Sequence, residues 1–158
     1  MSDTKELFAN GLFKGFAPDE TEAFLRRCQE KTYPDGANLF KEQDEATTLY
    51  MILSGEIKLH FEMSQRENVD TTISSLKPGE AVGWSAIVPP HNYRLSGYCK
   101  GKTTLLEIDR ETLKVLFETN YHLAYIFMRN IAVLTGERLH HVQDKLAKVL
   151  VDEAINGW

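Results

Sequence analysis

The chain has 158 residues, of which 42% are hydrophobic and 26% charged, and its formal net charge is −5. A chain of this length buries roughly 68–70% of its unfolded surface and holds a real core, so one folded domain over residues 1–158 is expected and a largely disordered chain is excluded. The 18 basic residues against 23 acidic ones provide no overall basic field for nucleic acid.

Three zones follow one another. The first runs to about Cys28 and reads as helical. Leu7, Phe8, Leu12, Phe13 and Phe16 are dense in apolar surface, and Gly11 and Gly15 break them into short helical turns that pack onto something else. Pro18-Asp19-Glu20 looks like a helix start, with proline in the first turn and acids where the helix dipole favours them. Thr21, Phe24, Leu25 and Cys28 then share one helical face.

The second zone, about Lys31 to Ile108, reads as strands. Leu49-Tyr50-Met51-Ile52-Leu53 is a short apolar run, and Ile57, Leu59 and Phe61 alternate with Glu56, Lys58 and His60. Ser54-Gly55 between them predicts a tight turn, and hence a hairpin. Thr71-Thr72-Ile73 and Leu105-Leu106-Glu107-Ile108 are further strand candidates. Pro34-Asp35-Gly36, Lys77-Pro78-Gly79 and Pro89-Pro90 punctuate them. Short strands at this spacing predict a β barrel or jelly roll.

The third zone, residues 109–158, is predicted helical. Asp109 is a plausible N-cap, and Leu113, Leu116 and Phe117 give one apolar face. From Tyr121 to Val151 there is no proline and Gly136 is the only glycine. Leu139, Val142, Leu146 and Val149 step by three, four and three, which is a short coiled-coil-like seam; Phe127, Ile131 and Leu134 form a second row. Two apolar rows predict a helix packed both on its own roll and on a partner.

Taken together, the chain resembles the cyclic nucleotide-binding domain, the sensor module of catabolite-activator and Fnr-type regulators and of protein kinase A regulatory subunits. The residues that carry the resemblance are Pro34-Asp35-Gly36, Leu39-Phe40-Lys41-Glu42, the run from Leu49 to Leu59 with Ser54-Gly55 inside it, Leu76-Lys77-Pro78-Gly79-Glu80-Ala81-Val82-Gly83, and Leu105-Leu106-Glu107-Ile108-Asp109. The resemblance implies an α+β fold, mainly β: a double-stranded β-helix jelly roll of the cupin-like kind at about 31–108, flanked by N-terminal helices and a long C-terminal helix.

It also implies a ligand site. In this family a short helix after the Gly-Glu step turns its amides to a cyclic phosphate, a glutamate accepts the ribose hydroxyl, and an arginine pairs with the phosphate as a charged fork. Here that cassette is Val82-Gly83-Trp84-Ser85-Ala86-Ile87 and onward to Ser96. Gly83 matches. Trp84 stands at the glutamate position, and an indole has no acceptor for a hydroxyl proton. Counting back from the Leu-Glu-Ile strand places the arginine position on Tyr93, with Arg94 one residue later. A one-residue slip turns a strand side chain to the other face, but the Pro89-Pro90 loop absorbs such a shift, so Arg94 stays a candidate phosphate partner. Ser85 and Ser96 offer hydroxyls. Trp84 either stacks on a flat ligand or fills the cassette.

The expected ligand is therefore a cyclic nucleotide (cAMP or cGMP) or another small anion, with no certain cofactor and no metal. The expected function is a small sensor or regulatory module that acts through a homodimer of its C-terminal helix and through a separate output protein. The rival expectation is a ligand-free interaction domain whose pocket Trp84 plugs. Catabolite-activator relatives continue into a helix-turn-helix. This sequence ends at Trp158, so direct nucleic-acid binding is not expected.

An enzyme is not expected and no catalytic residue is assigned. Cupin metal sites need a His-x-His pair on one strand, whereas His60 and His91 stand alone, His122 lies in the helical zone, and His140-His141 point about 100° apart on a helix. Cys28 and Cys99 form no CxxC pair and read as two reduced thiols. No run approaches the ~18 apolar residues of a membrane span, and MSDTKELFAN has no secretory-signal pattern; a cytoplasmic location is the expectation.

Overall fold

The computed structural model describes residues 2–62 and 71–157. The elements run α1 (Ser2–Phe8), α2 (Pro18–Leu25), β1 (Gln29–Tyr33), β2 (Asn38–Phe40), β3 (Thr48–His60), β4 (Thr72–Leu76), β5 (Ala81–Val82), a 3₁₀ turn (Trp84–Ala86), β6 (Ser96–Asp109), α3 (Arg110–Thr119) and α4 (Tyr121–Asn156). The helix starts follow local chemistry. Pro18 opens α2, where the Glu20 carboxylate folds back to accept from the Ala17 amide at 2.9 Å. Asp109 caps α3 by accepting from the Thr112 amide at 2.9 Å, and Asn120 caps α4 by accepting from the Leu123 amide at 3.0 Å.

The spine of the sheet is the antiparallel ladder between β3 and β6, which runs from Thr48 opposite Asp109 to His60 opposite Ser96. Around it, β1 and β2 pair with β6, while β5 pairs with the first half of β3 and β4 with the second half.

The expected hairpin at Ser54-Gly55 is corrected by this ladder. Residues 48–60 are one strand of 13 residues, and its register to β6 shifts on either side of Ser54. Gly55 has φ +87°, and a Cβ there would stand 2.4 Å from Thr103 Oγ1. Glycine thus lets the strand bulge and bend where it passes from β5 to β4 as its neighbour, without reversing. A turn residue in sequence serves here as a bend.

Successive side chains of β3 point to opposite faces, which explains its unbroken apolar run. Tyr50 and Ile52 join a core inside the roll with Phe40, Ile57, Leu76 and Leu105. Leu49 and Met51 join a second core under the helices with Phe8, Leu12, Phe24, Leu113 and Phe127. Phe24 stacks on Phe127 at 5.5 Å and meets Phe13 edge-on at 5.2 Å, which ties the N-terminal segment to the first turns of α4. Of the two apolar rows of α4, the one with Phe127 and Ile131 faces the fold: Phe127 is 0% and Ile131 6% exposed.

Both cysteines are free, Cys28 half-buried and Cys99 buried, and burial pushes the Cys28 thiol up to about 12. Among the described residues no helix is long and apolar enough to cross a membrane. The same residues contain no group of three or more His, Cys, Asp or Glu side chains that could hold a metal ion.

Candidate functional site

The turn after β5 is built on Gly83. Its φ is +91°, and a Cβ there would stand 2.5 Å from the Thr48 carbonyl oxygen, so only glycine lets the chain turn this close to β3. Trp84–Ala86 then form a single 3₁₀ turn, closed by the Ala86 amide donating to the Gly83 carbonyl at 2.9 Å. Ser85 and Ala86 are buried, with Ala86 in the core of the roll.

Across from this turn, Tyr93 is buried. Its ring stacks on Phe40 with centroids 4.2 Å apart, and its hydroxyl donates to the Thr48 carbonyl at 3.0 Å. Phe40 stacks in turn on Tyr50 at 5.7 Å. Three aromatic rings therefore occupy the roll beside the cassette. Desolvation holds the Tyr93 hydroxyl above the usual phenol range, so it remains a donor.

Arg94, the next residue, is exposed and makes no ion pair among the described residues. It lines a narrow cleft of about 60 Å³ with Phe40, Gly83, Trp84, Ser85 and Tyr93. Ser96 is buried and engaged elsewhere: its hydroxyl accepts from the Glu42 amide at 2.9 Å, and its bond to Glu62 is the first cause that holds that carboxyl below its ordinary range. The fold thus brings Gly83, Trp84, Ser85, Tyr93 and Arg94 together, while Ala86 lies in the core and Ser96 is turned to Glu42 and Glu62.

Trp84 is half-buried and packs on the core under the helices, beside Leu49, Ala81, Ile131 and Leu134. It joins the cassette to α4, and it is Tyr93, Phe40 and Tyr50 that fill the roll.

One residue of this region escaped sequence reasoning. Arg138 of α4 lines the 60 Å³ cleft, and it also lines a larger cleft of about 450 Å³ between α4 and the β4–β5 segment. Its guanidinium donates to the Ala81 carbonyl. Burial pushes its pKa below the usual guanidinium range, and the field of Glu80 opposes that shift. The available signal was a charge placed where the buried row Phe127, Ile131, Leu134 continues at helical spacing.

The profile of the cyclic nucleotide-binding domain matches residues 30–120 of the chain. The chain belongs to the cyclic nucleotide-binding domain family. A cyclic AMP receptor protein of Thermus thermophilus is 28% identical over 145 residues, 92% of this chain and 64% of that protein. The crystal structure of the Thermus thermophilus catabolite activator protein superposes with TM-score 0.72 at 27% identity, covering 90% of this chain and 64% of that one. A cyclic nucleotide-binding domain from Methylobacillus flagellatus shares the fold with TM-score 0.82 at 19% identity, covering 93% of this chain and 82% of that one. The chain spans 60–64% of the length of the curated relatives it matches.

As a cyclic nucleotide-binding domain the chain keeps the glycine that forms the cassette turn. At the glutamate position that the family resemblance implies it carries Trp84. Trp84 offers no acceptor for a ribose hydroxyl, Tyr93 packs in the roll, and the exposed Arg94 lines the cassette cleft beside it.

Proposed function

We propose that the chain is a small regulatory sensor module in which a ligand at the cassette changes the packing of α4. The observation that carries this reading is the position of Trp84, which belongs to the cassette turn and packs against Ile131 and Leu134 of α4. A ligand that displaces the cassette must move this contact. It shifts the helix only as far as its affinities for the two arrangements differ. The ligand class is a cyclic nucleotide, cAMP or cGMP, or another small anion, and the module acts without catalysis. Output passes to a second copy through the exposed row of α4 and then to a separate output protein.

Calorimetric titration with cAMP and with cGMP, paired with thermal melting, tests the reading. A ligand at 100 times its Kd adds about 2.7 kcal/mol of stability, which is an easily visible rise in Tm. Heat and a higher Tm with either nucleotide support a sensor. Silence with both supports the second reading, a ligand-free interaction domain. One observation favours that second reading: the cassette cleft measures about 60 Å³, roughly the liquid volume of two water molecules, because Tyr93, Phe40 and Tyr50 fill the roll.

A further inference from the structure

A cavity of about 870 Å³ opens between the loop that follows the cassette turn, α3 and the first turns of α4. It shares no lining residue with the cassette cleft or with the cleft beside β4. Ligand sites for small molecules run from roughly 300 to 1,000 Å³, so the space has the size of one.

Its floor is apolar and firm. Ala86 and Leu113 line it and are 0% and 1% exposed. Ile87 and Phe117 line it and pack against the core under the helices. The loop wall is fixed as well. His91 takes φ +62°, which a non-glycine residue seldom adopts. Two backbone bonds hold it there: its amide donates to the Val88 carbonyl at 3.0 Å, and its carbonyl accepts from the Ala46 amide at 2.7 Å. Strain of this kind persists only where the surroundings fix it, and it clusters at ligand sites.

The polar groups of that wall are acceptors. His91 Nδ1 stands 3.3 Å from the Ser85 carbonyl oxygen. A carbonyl only accepts, so Nδ1 carries the proton, and Nε2 of the neutral ring is left as an acceptor. Asn92 is oriented in the same way: Nδ2 donates to the Gln43 carbonyl at 3.0 Å, which leaves Oδ1 to accept. The charges at the cavity largely cancel. Arg110 pairs with Glu45 at 3.0 Å and approaches Glu111 at 3.8 Å, while Lys114 and Glu118 carry opposite signs one turn apart on α3. Three carboxylates against two cations leave a small negative excess, so an anion gains least here.

We propose that this cavity is a ligand site separate from the cassette, and that it takes a neutral aromatic molecule with a hydrogen-bond donor, of the aryl alcohol, indole or arylamine class. The rings lie on Ile87, Leu113 and Phe117. The donor is taken by His91 Nε2, with Asn92 Oδ1 as a second acceptor. Ile87 ends the cassette turn, its amide donating to the Trp84 carbonyl at 2.9 Å, so the occupant bridges that turn and α3. The site goes beyond the sensor reading and does not depend on a ligand at the cassette.

The test uses the full chain and N-phenyl-1-naphthylamine, a neutral arylamine with a single N–H whose fluorescence rises in apolar surroundings. Its N-methyl derivative lacks the donor. The probe should saturate at one molecule per chain, and the N-methyl derivative should bind about fivefold more weakly, the worth of one hydrogen bond. Amide shifts in the NMR spectrum of the natural chain should centre on residues 86–92 and 113–124. Ala124→Leu fills the cavity and should weaken the probe at least tenfold. His91→Gly suits the positive φ but removes the ring, and should remove most of the preference for the N–H probe. Circular dichroism confirms that each variant folds. A probe that does not saturate, shifts confined to the cassette cleft or to the exposed row of α4, or a folded Ala124→Leu with natural affinity overturns the site. Equal affinity of the natural chain for the two probes overturns the ligand class. Each of these outcomes leaves the calorimetric test of the cassette with cAMP and cGMP untouched.

Discussion

The Tyr93 ring lies on the Phe40 ring with centroids 4.2 Å apart, inside the roll and directly across from the cassette turn. The pair occupies space that a ligand reaching into the roll would need. Two opposed effects follow from removing it. Phe40→Ala deletes a 9%-exposed aromatic side chain and should cost about 3–5 kcal/mol, measured by urea unfolding. The same change enlarges the cassette cleft and should raise the affinity for cAMP in calorimetry. Loss of stability with unchanged affinity would show that the stack is core and does not gate the site. Tyr93→Phe should cost only about 1 kcal/mol, the hydrogen bond to the Thr48 carbonyl.

Gly83 gives a prediction that separates backbone from side chain. Gly83→Ala forces a non-glycine residue to φ +91° and drives its Cβ to 2.5 Å from Thr48 O. The strained φ alone costs about 1–3 kcal/mol, and the clash adds to it by prying the turn off β3. Urea unfolding should show a lower midpoint, and the near-ultraviolet signal of Trp84 should change with it. A variant with natural stability would mean that the turn has an alternative path away from Thr48.

The legible and illegible parts of this molecule divide along physical lines. The Pro18 helix start and the Asp109 cap were readable because the interactions are local: Asp109 reaches Thr112 three residues on. The order of the three zones was readable because Leu49–Leu53 and Leu105–Ile108 are apolar runs and α4 has no proline. The Ser54-Gly55 bulge was not, since glycine at positive φ serves a turn and a bend equally, and only the partner strand β6 decides between them. The cassette itself was readable as a segment. Which side chains face its cleft was not, because that depends on Arg138, 54 residues after Trp84, and on Phe40, which stacks on Tyr93 from another strand.

Acid stability should report on the junction between α2 and α4. The Glu20 carboxylate is buried and accepts from the Ala17 amide, from His122 at 2.7 Å and from Asn120. Burial alone would raise its pKa, but these bonds together hold it below its ordinary value of 4.5. The fold therefore binds the carboxylate more tightly than the acid. This contribution is complete above the unfolded pKa and is lost as the pH falls through the folded one, which places the loss in acid, from about pH 5 downwards. Glu20→Gln should cost about 1 kcal/mol at pH 7 and should flatten the fall in stability between about pH 5 and pH 3. Urea unfolding at a series of pH values checks this, and an unaltered acid limb in the variant would remove Glu20 from the account.

The far end of α4 yields the last prediction. Every described residue from Leu139 to Gly157 is exposed, and Leu139, Val142, Leu146 and Val149 present one apolar row at 56%, 41%, 56% and 53% exposure. Most helical stability in proteins comes from packing of an apolar face, and this row packs on neither core of the chain. The steps of three, four and three between these residues suit a seam with an identical helix, so a second copy is the occupant that the row fits. The double change Val142→Glu and Leu146→Glu places like charges on both sides of that seam. It should convert a dimer to a monomer in sedimentation at tens of micromolar and lower the helical signal in circular dichroism. The roll should keep its unfolding midpoint, since these side chains touch neither core. A natural chain that sediments as a monomer at that concentration would rule out the helix as a dimer surface, and would leave the row to a partner of a different kind.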